Sequence, residues 1–296
     1  MRRFAYQRPT RLAQATRWLA EAGEDARVLA GGTDLVVGLR DDSVRPSVVV
    51  DLKHVEELQG VPIVEDGDII RFSALATMSQ IEHSALVQAE LPALAEAARV
   101  VGSVQIRNRA TLAGNVCNGS PAADTTPPQL IYGAMIVIVG PDGQRLAPVD
   151  EFILGARRPG PDKRKVDLRP GELVVAIEIP EYEPPFGSAY TRLVRRRGTD
   201  LASITMAAAV AEDHSVGLAY GSVGPRPFLV WDDSGVLGDP AADPERRDAI
   251  LAELLDQATP SPRSIRAGPD YRLAMLPVLA RRVITAALDR HAGKAA

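Results

Sequence analysis

Two short glycine-centred stretches constrain this chain most strongly: Ala30-Gly31-Gly32-Thr33-Asp34-Leu35 and Thr111-Leu112-Ala113-Gly114-Asn115. Glycine has no Cβ, so its backbone can approach a ligand closely. Each stretch sets backbone N–H groups beside a threonine hydroxyl, Thr33 or Thr111, and that donor set suits a diphosphate. A lone Gly-Gly pair is more often only a tight turn. Here there are two cradles in 296 residues, and the second continues into the polar run Cys117-Asn118-Gly119-Ser120-Pro121-Ala122-Ala123-Asp124. Together they point to a large diphosphate cofactor held from both ends.

The motifs that are missing narrow the choice. No G-x-G-x-x-G follows a strand-like run and no G-x-x-x-x-G-K-[ST] occurs, so a Rossmann domain and a P-loop are disfavoured. The single cysteine, Cys117, cannot form an internal disulfide or hold an iron–sulfur cluster, which needs about four cysteines. It reads as a small packed residue rather than a redox thiol. His54, His83, His214 and His291 are scattered, with no metal-ligand spacing, so no bound metal is expected. A net charge of −4 and 4 % aromatic residues give no nucleic-acid footprint. Arg2-Arg3 is not followed by an apolar run, and no stretch approaches the ~20 apolar residues of a membrane span, so a cytoplasmic protein is expected. No histidine lies near a plausible serine or cysteine nucleophile in sequence, which assigns no catalytic residue and suggests that the bound cofactor does the chemistry.

Patterning along the chain predicts an α+β protein. Thr10 can cap a helix bearing Leu12, Ala15, Leu19 and Ala22. Arg27 to Ala30 and Ser47 to Asp51 read as strands flanking the first cradle, with Thr33 or Asp34 opening a short helix through Leu39. Val61 to Glu65 and Ile69 to Ala74 flank Asp66-Gly67-Asp68 as a hairpin, and Thr77 caps the next helix. A helix is expected from Pro92 to Val101, with Gly102 as its stop. Residues 111–128 look too rich in Gly, Asn and Pro for a regular element. A second hairpin is expected around Pro141-Asp142-Gly143, a long exposed loop over 155–171, and a strand from Glu172 to Pro180. Ile204 to Ala211 and Ser215 to Val223 follow as antiparallel strands. Helices near 244–257 and 270–292 close the chain, the last carrying Leu276, Leu279, Val283 and Ala286 on one face.

The stretch Ala30 to Leu35, the Gln105-Ile106-Arg107-Asn108 segment and the Thr111 to Asp124 run closely resemble the FAD-binding medium subunit of molybdenum hydroxylases. That family includes the carbon monoxide dehydrogenase medium subunit and the xanthine dehydrogenase flavin domain. Arg196-Arg197, Asp200-Leu201-Ala202, Gly221 to Pro227, Tyr271-Arg272 and Arg281-Arg282 extend the match over nearly the whole chain. The resemblance implies two N-terminal α/β subdomains, 1–54 and 55–180, with FAD between them, and a C-terminal subdomain, 181–296, of antiparallel strands and helices. It implies that Leu29, Ala30, Gly31, Gly32, Thr33, Asp34 and Leu35, with Thr111, Gly114 and Asn115, hold the FAD diphosphate. By the same likeness Asn118 and Asp124 meet polar atoms of the ribityl or adenosine part, and Tyr190 lies against the flavin ring. Thr191 stands where the xanthine dehydrogenase branch has lysine, and Ala113 where many members have glycine. Arg196 and Arg197 would serve an interface or structural ion pairs. The implied partners are a large molybdenum–pterin subunit and a small subunit with [2Fe–2S] clusters, in a heterotrimer or a dimer of heterotrimers. FAD would take electrons from those clusters and pass them to an external acceptor. The alternatives are a stand-alone FAD oxidoreductase acting on a small substrate, and a non-catalytic nucleotide-binding or assembly subunit.

Overall fold

The computed structural model describes residues 2–155, 164–182 and 186–293. The chain starts with strand β1 (Ala5–Gln7), helix α1 (Leu12–Ala22), β2 (Ala26–Leu29), α2 (Leu35–Arg40) and β3 (Val48–Asp51). Helices between successive strands return the chain to the same end, so both pairings in this sheet are parallel, in the order β1-β3-β2. The central strand carries three valines in a row, Val48 to Val50, as a strand covered on both faces should. Thr10 does not cap α1. The cap residue is Arg11, without a side-chain bond, and Thr10 N–H itself donates to Gln14 Oε1 at 3.0 Å. Glu57 accepts from Leu12 N–H at 3.3 Å instead, setting a carboxylate at the positive end of the helix. Asp34 occupies the cap position of α2, again with no side-chain bond.

A second sheet, all antiparallel, has the order β4-β5-β8-β6-β7. Its first hairpin, β4 (Ile63–Asp66) and β5 (Ile69–Ser73), turns through Gly67-Asp68, with Gly67 at φ +64°. Six helices follow before the next strand: α3 (Met78–His83), α4 (Ala85–Glu90), α5 (Pro92–Arg99), α6 (Val104–Arg107), α7 (Leu112–Cys117) and α8 (Thr126–Ile131). Thr77 caps α3 in a reciprocal box with Gln80. The stretch 111–128 is more regular than its composition predicts. Thr111 caps α7, and Pro127 sits in the first turn of α8, where its missing N–H has no intrahelical partner to lose. The sheet is completed by β6 (Met135–Gly140), β7 (Gly143–Pro148), the short α9 (Val149–Phe152) and β8 (Leu173–Pro180). Of the expected loop over 155–171, residues 156–163 lie outside the described residues. Val166 is buried and bridges to Ile153, anchoring a stretch in which Arg164, Lys165, Arg169 and Pro170 are exposed.

The third sheet is an antiparallel meander, order β12-β11-β10-β9, built from β9 (Gly187–Leu193), β10 (Ile204–Val210), β11 (Val216–Gly221) and β12 (Phe228–Asp232). Helices α10 (Pro244–Leu255) and α11 (Pro269–His291) follow it. Along β10, Ile204, Met206, Ala208 and Val210 pack into a core shared with α11, while Ala207 and Ala209 belong to the larger core of the preceding sheets. The buried stripe of α11 runs Leu276, Leu279, Val283 and Ala287; Ala286 is exposed. One residue is about 100° of helix, enough to turn Ala286 out. Ala287 lies against β9, where a Cβ at Gly187 would come within 2.1 Å of the Ala287 carbonyl oxygen.

Candidate functional site

The first cradle leaves the carboxyl end of a parallel strand, the end at which open α/β sheets bind ligands. Leu29 closes β2 opposite Asp51. The next five backbone N–H groups, Gly31 to Leu35, have no hydrogen-bond partner among the described residues, and the first return is Val36 N–H to Gly32 O at 3.0 Å. Gly32 sits at φ +78°, a conformation that side chains rarely adopt. The cradle is tied down from beneath. Lys53 Nζ reaches Ala30 O at 3.5 Å and Asp51 Oδ1 at 2.6 Å, and the Tyr6 hydroxyl donates to Asp51 Oδ2. Burial alone would raise the Asp51 pKa. The bonds from Lys53 and Tyr6 outweigh it and hold the carboxyl below its ordinary range.

The second cradle is pinned to the turn before α3. Met78 N–H donates to Ala110 O at 2.8 Å and Leu112 N–H to Ala76 O at 3.1 Å. Thr111 Oγ1 accepts from Gly114 N–H at 3.0 Å, which leaves its own proton for a ligand. Gly114 is exposed and Ala113 is buried inside α7. Asn115 Oδ1 accepts from the Thr125 hydroxyl at 2.7 Å. Asn118 follows as the exposed C-cap of α7, its N–H on Gly114 O at 3.2 Å.

The two cradles meet. A Cβ on Gly31 would lie 1.9 Å from Arg109 O and 3.1 Å from Ala110 Cα, so only glycine fits at that junction. The residues present suit an extended diphosphate cofactor on this geometry: a run of free N–H donors, a threonine hydroxyl and a glycine-only contact between them.

The polar run continues to Asp124, buried in the structure. It accepts the Tyr190 hydroxyl at 2.6 Å, and Arg192 Nη1 lies 3.3 Å from both of its carboxylate oxygens. Burial raises the Asp124 pKa, and Tyr190 and Arg192 pull it back only in part. Burial and the neighbouring carboxylate push the Tyr190 phenol well above its ordinary value. Tyr190 is a half-buried strand residue, two positions from Arg192 on one face of β9. Arg192 escapes a sequence reading that does not predict β9; the alternation 190, 192 is the signal that finds it. Pro121 O accepts Ser222 N–H at 2.7 Å, which closes the run against the third sheet. Cys117 is half-buried and packs against the larger core, and loss of water pushes its thiol pKa up to about 12. In the basic segment the ion pair is Arg195–Asp200, at 2.8 Å, while Arg196 bonds the Thr199 carbonyl. Among the described residues no cluster of His, Cys, Asp and Glu is arranged to hold a metal, and no helix is long and apolar enough to cross a membrane.

Comparison with known proteins agrees with this construction. Residues 2–182 match the model of the FAD binding domain in molybdopterin dehydrogenase, and residues 188–287 that of the CO dehydrogenase flavoprotein C-terminal domain. The chain is 32 % identical over 295 residues to the xanthine dehydrogenase FAD-binding subunit of Escherichia coli O157:H7, covering 98 % of each. It is 32 % identical over 293 residues to the carbon monoxide dehydrogenase medium chain of Afipia carboxidovorans, covering 97 % of each. A crystal structure of the Cu,Mo-CO dehydrogenase superposes with a TM-score of 0.86 at 29 % identity, over 97 % of this chain and 98 % of that one. Quinoline 2-oxidoreductase from Pseudomonas putida 86 gives 0.83 at 27 % identity, over 99 % and 98 %. The glycine cradles, the three sheets and these matches establish one conclusion: this chain belongs to the FAD-binding flavoprotein subunits of the molybdenum hydroxylase family, and is an oxidoreductase component.

Proposed function

We propose that this chain seats FAD along its two joined cradles and serves as the electron-transfer subunit of a molybdenum-dependent hydroxylase or dehydrogenase. The Gly31 junction supports this most, because a side chain there would collide with the Arg109 carbonyl and force the cradles apart. In this reading the N–H groups of Gly31, Gly32, Thr33, Asp34 and Leu35 bind diphosphate oxygens, helped by the Thr111 hydroxyl and the Gly114–Asn115 turn. Leu29 and Ala30 set the height of the loop. Asp124 and Asn118 orient sugar or ribityl hydroxyls, and Tyr190 shields the ring. FAD, when bound, supplies a redox centre that can receive electrons from partner [2Fe–2S] clusters and release them to an external acceptor.

The assembly that fits is a cytoplasmic heterotrimer, or a dimer of heterotrimers, with a large molybdenum–pterin subunit and a small [2Fe–2S] subunit. The relatives are medium chains and FAD-binding subunits of dehydrogenases, matched almost end to end. We divide the chain into units 1–54, 55–180 and 181–296, a division supported by its three sheets. Native mass spectrometry of the chain, purified gently from its own cells, tests the reading. FAD together with a larger and a smaller partner is the expected result. FAD on a lone chain would favour a stand-alone oxidoreductase, and a flavin-free chain would overturn the assignment. Replacing Gly32 or Asp124 should lower FAD occupancy; full occupancy would count against these site residues.

A further inference from the structure

Strand β9 is an edge: among the described residues it pairs with β10 alone. An edge strand leaves alternate N–H and C=O groups without a ladder, and proteins cover them. Here two charged side chains do so. Glu96 of α5 accepts Tyr190 N–H through Oε2 at 2.8 Å, and Arg290, in the last turn of α11, donates through Nη1 to Ser188 O at 2.6 Å. The same two side chains close on each other through Glu96 Oε1 and Arg290 Nη2. Residues 188 and 190 share the outer edge by the two-residue period of a strand, so one ion pair spans both open groups. Beside it, the buried Tyr132 hydroxyl accepts Ala93 N–H at 3.2 Å and shares a 2.5 Å hydrogen bond with Ser188 Oγ. Three distant parts of the chain, α5, β9 and the end of α11, are thereby fixed at one point.

That point carries Tyr190, whose hydroxyl rests on Asp124 at 2.6 Å. An exposed ion pair alone contributes little, but hydrogen bonds from backbone to charged groups are stronger and directional. We propose that the Glu96–Arg290 pair is a positioning device for the FAD site: by fixing the Tyr190 backbone it sets where the phenol meets Asp124, and so governs the grip on FAD from that side. This rests on the FAD placement given above. Glu96 and Arg290 are positioning residues; they reach the cofactor only through Tyr190.

The test uses the full chain and FAD itself, followed by flavin emission during titration. Glu96→Gln keeps an acceptor for Tyr190 N–H and should change the FAD dissociation constant by less than about threefold, whereas Glu96→Ala removes it and should weaken binding about tenfold. The deciding measurement is a double-mutant cycle with Tyr190→Phe, which removes the hydroxyl on Asp124. Glu96→Ala should then have no further effect on FAD affinity. Equal losses in both backgrounds would show a general structural role and overturn the proposal, as would equal behaviour of Glu96→Gln and Glu96→Ala. If Glu96→Ala does not fold, Glu96→Met, which keeps the side-chain length but has no oxygen acceptor for Tyr190 N–H, takes its place in the same cycle. Failure of the wild-type chain to bind FAD would overturn the FAD placement itself, an outcome distinct from FAD binding that is indifferent to Glu96.

Discussion

Asp51 and Asp124 are nearly equally hidden, at 1 % and 8 % exposed, and each accepts a tyrosine hydroxyl and faces one cation. Their ionisation nevertheless moves in opposite directions. Lys53 Nζ lies 2.6 Å from Asp51, and Lys53 N–H adds a second bond at 3.0 Å, so the charged form is favoured over the loss of water. Arg192 stands 3.3 Å from Asp124 and no backbone N–H joins it, so burial prevails. Asp51 is a fixed tie beneath the first cradle. Asp124 is held by Tyr190 and Arg192, and in the proposed site it would meet sugar hydroxyls. The difference lies in how many donors converge on each carboxylate and in the heavier loss of water around Asp124.

Four measurements sharpen or break this contrast. The largest effect is expected from Gly31→Ala, which forces a Cβ to within 1.9 Å of Arg109 O. A loss of about 2–3 kcal/mol in stability, together with loss of FAD, is expected from overpacking against backbone. Retention of FAD by this variant would separate the two cradles functionally. Next, Asp51→Asn should cost about 2 kcal/mol at neutral pH, since it removes charge-assisted hydrogen bonds. Because the folded pKa of Asp51 is lowered, its contribution holds above the unfolded value of about 3.9 and is lost as pH falls through the folded value; the gap to the variant should close in acid.

Asp124→Asn should change neutral-pH stability by no more than about 1 kcal/mol. Its folded pKa is raised, so its favourable contribution is complete below about 3.9 and lost as pH rises; wild type should lose ground to this variant as pH rises above that value. Urea unfolding of the FAD-free chain from about pH 3 to 7 measures both gaps. Slopes of the same sign would end the distinction. The smallest effect concerns Cys117, whose thiol is pushed up to about 12 by burial. Thiol-specific alkylation near neutral pH should be negligible in the native chain and rapid in urea. Rapid labelling of the native chain would show the second cradle to be more open than described.

What was legible in the sequence was local chemistry. The Gly31-Gly32 and Thr111 cradles, the Asp66-Gly67-Asp68 turn and the Thr77 cap each follow from a few adjacent residues whose conformational needs are specific. Helices α7 and α8 were hidden because Gly, Asn and Pro weigh against them, whereas Thr111, Pro127 and complete burial of α8 decide for them. Strand β9 begins Gly-Ser-Ala, with no apolar alternation to announce it. Its partners come from far away: Glu96 is 94 residues from Tyr190, and Arg192 is 68 from Asp124. Such pairings are made by topology and leave no local trace.

Strand β10 gives alternate residues to two separate cores, with Ala207 and Ala209 on one side and Met206, Ala208 and Val210 on the other. A party wall cannot come down for one tenant only. Although the family models change over between residues 182 and 188, heating should reveal a single calorimetric peak, because either core collapses when the shared strand leaves.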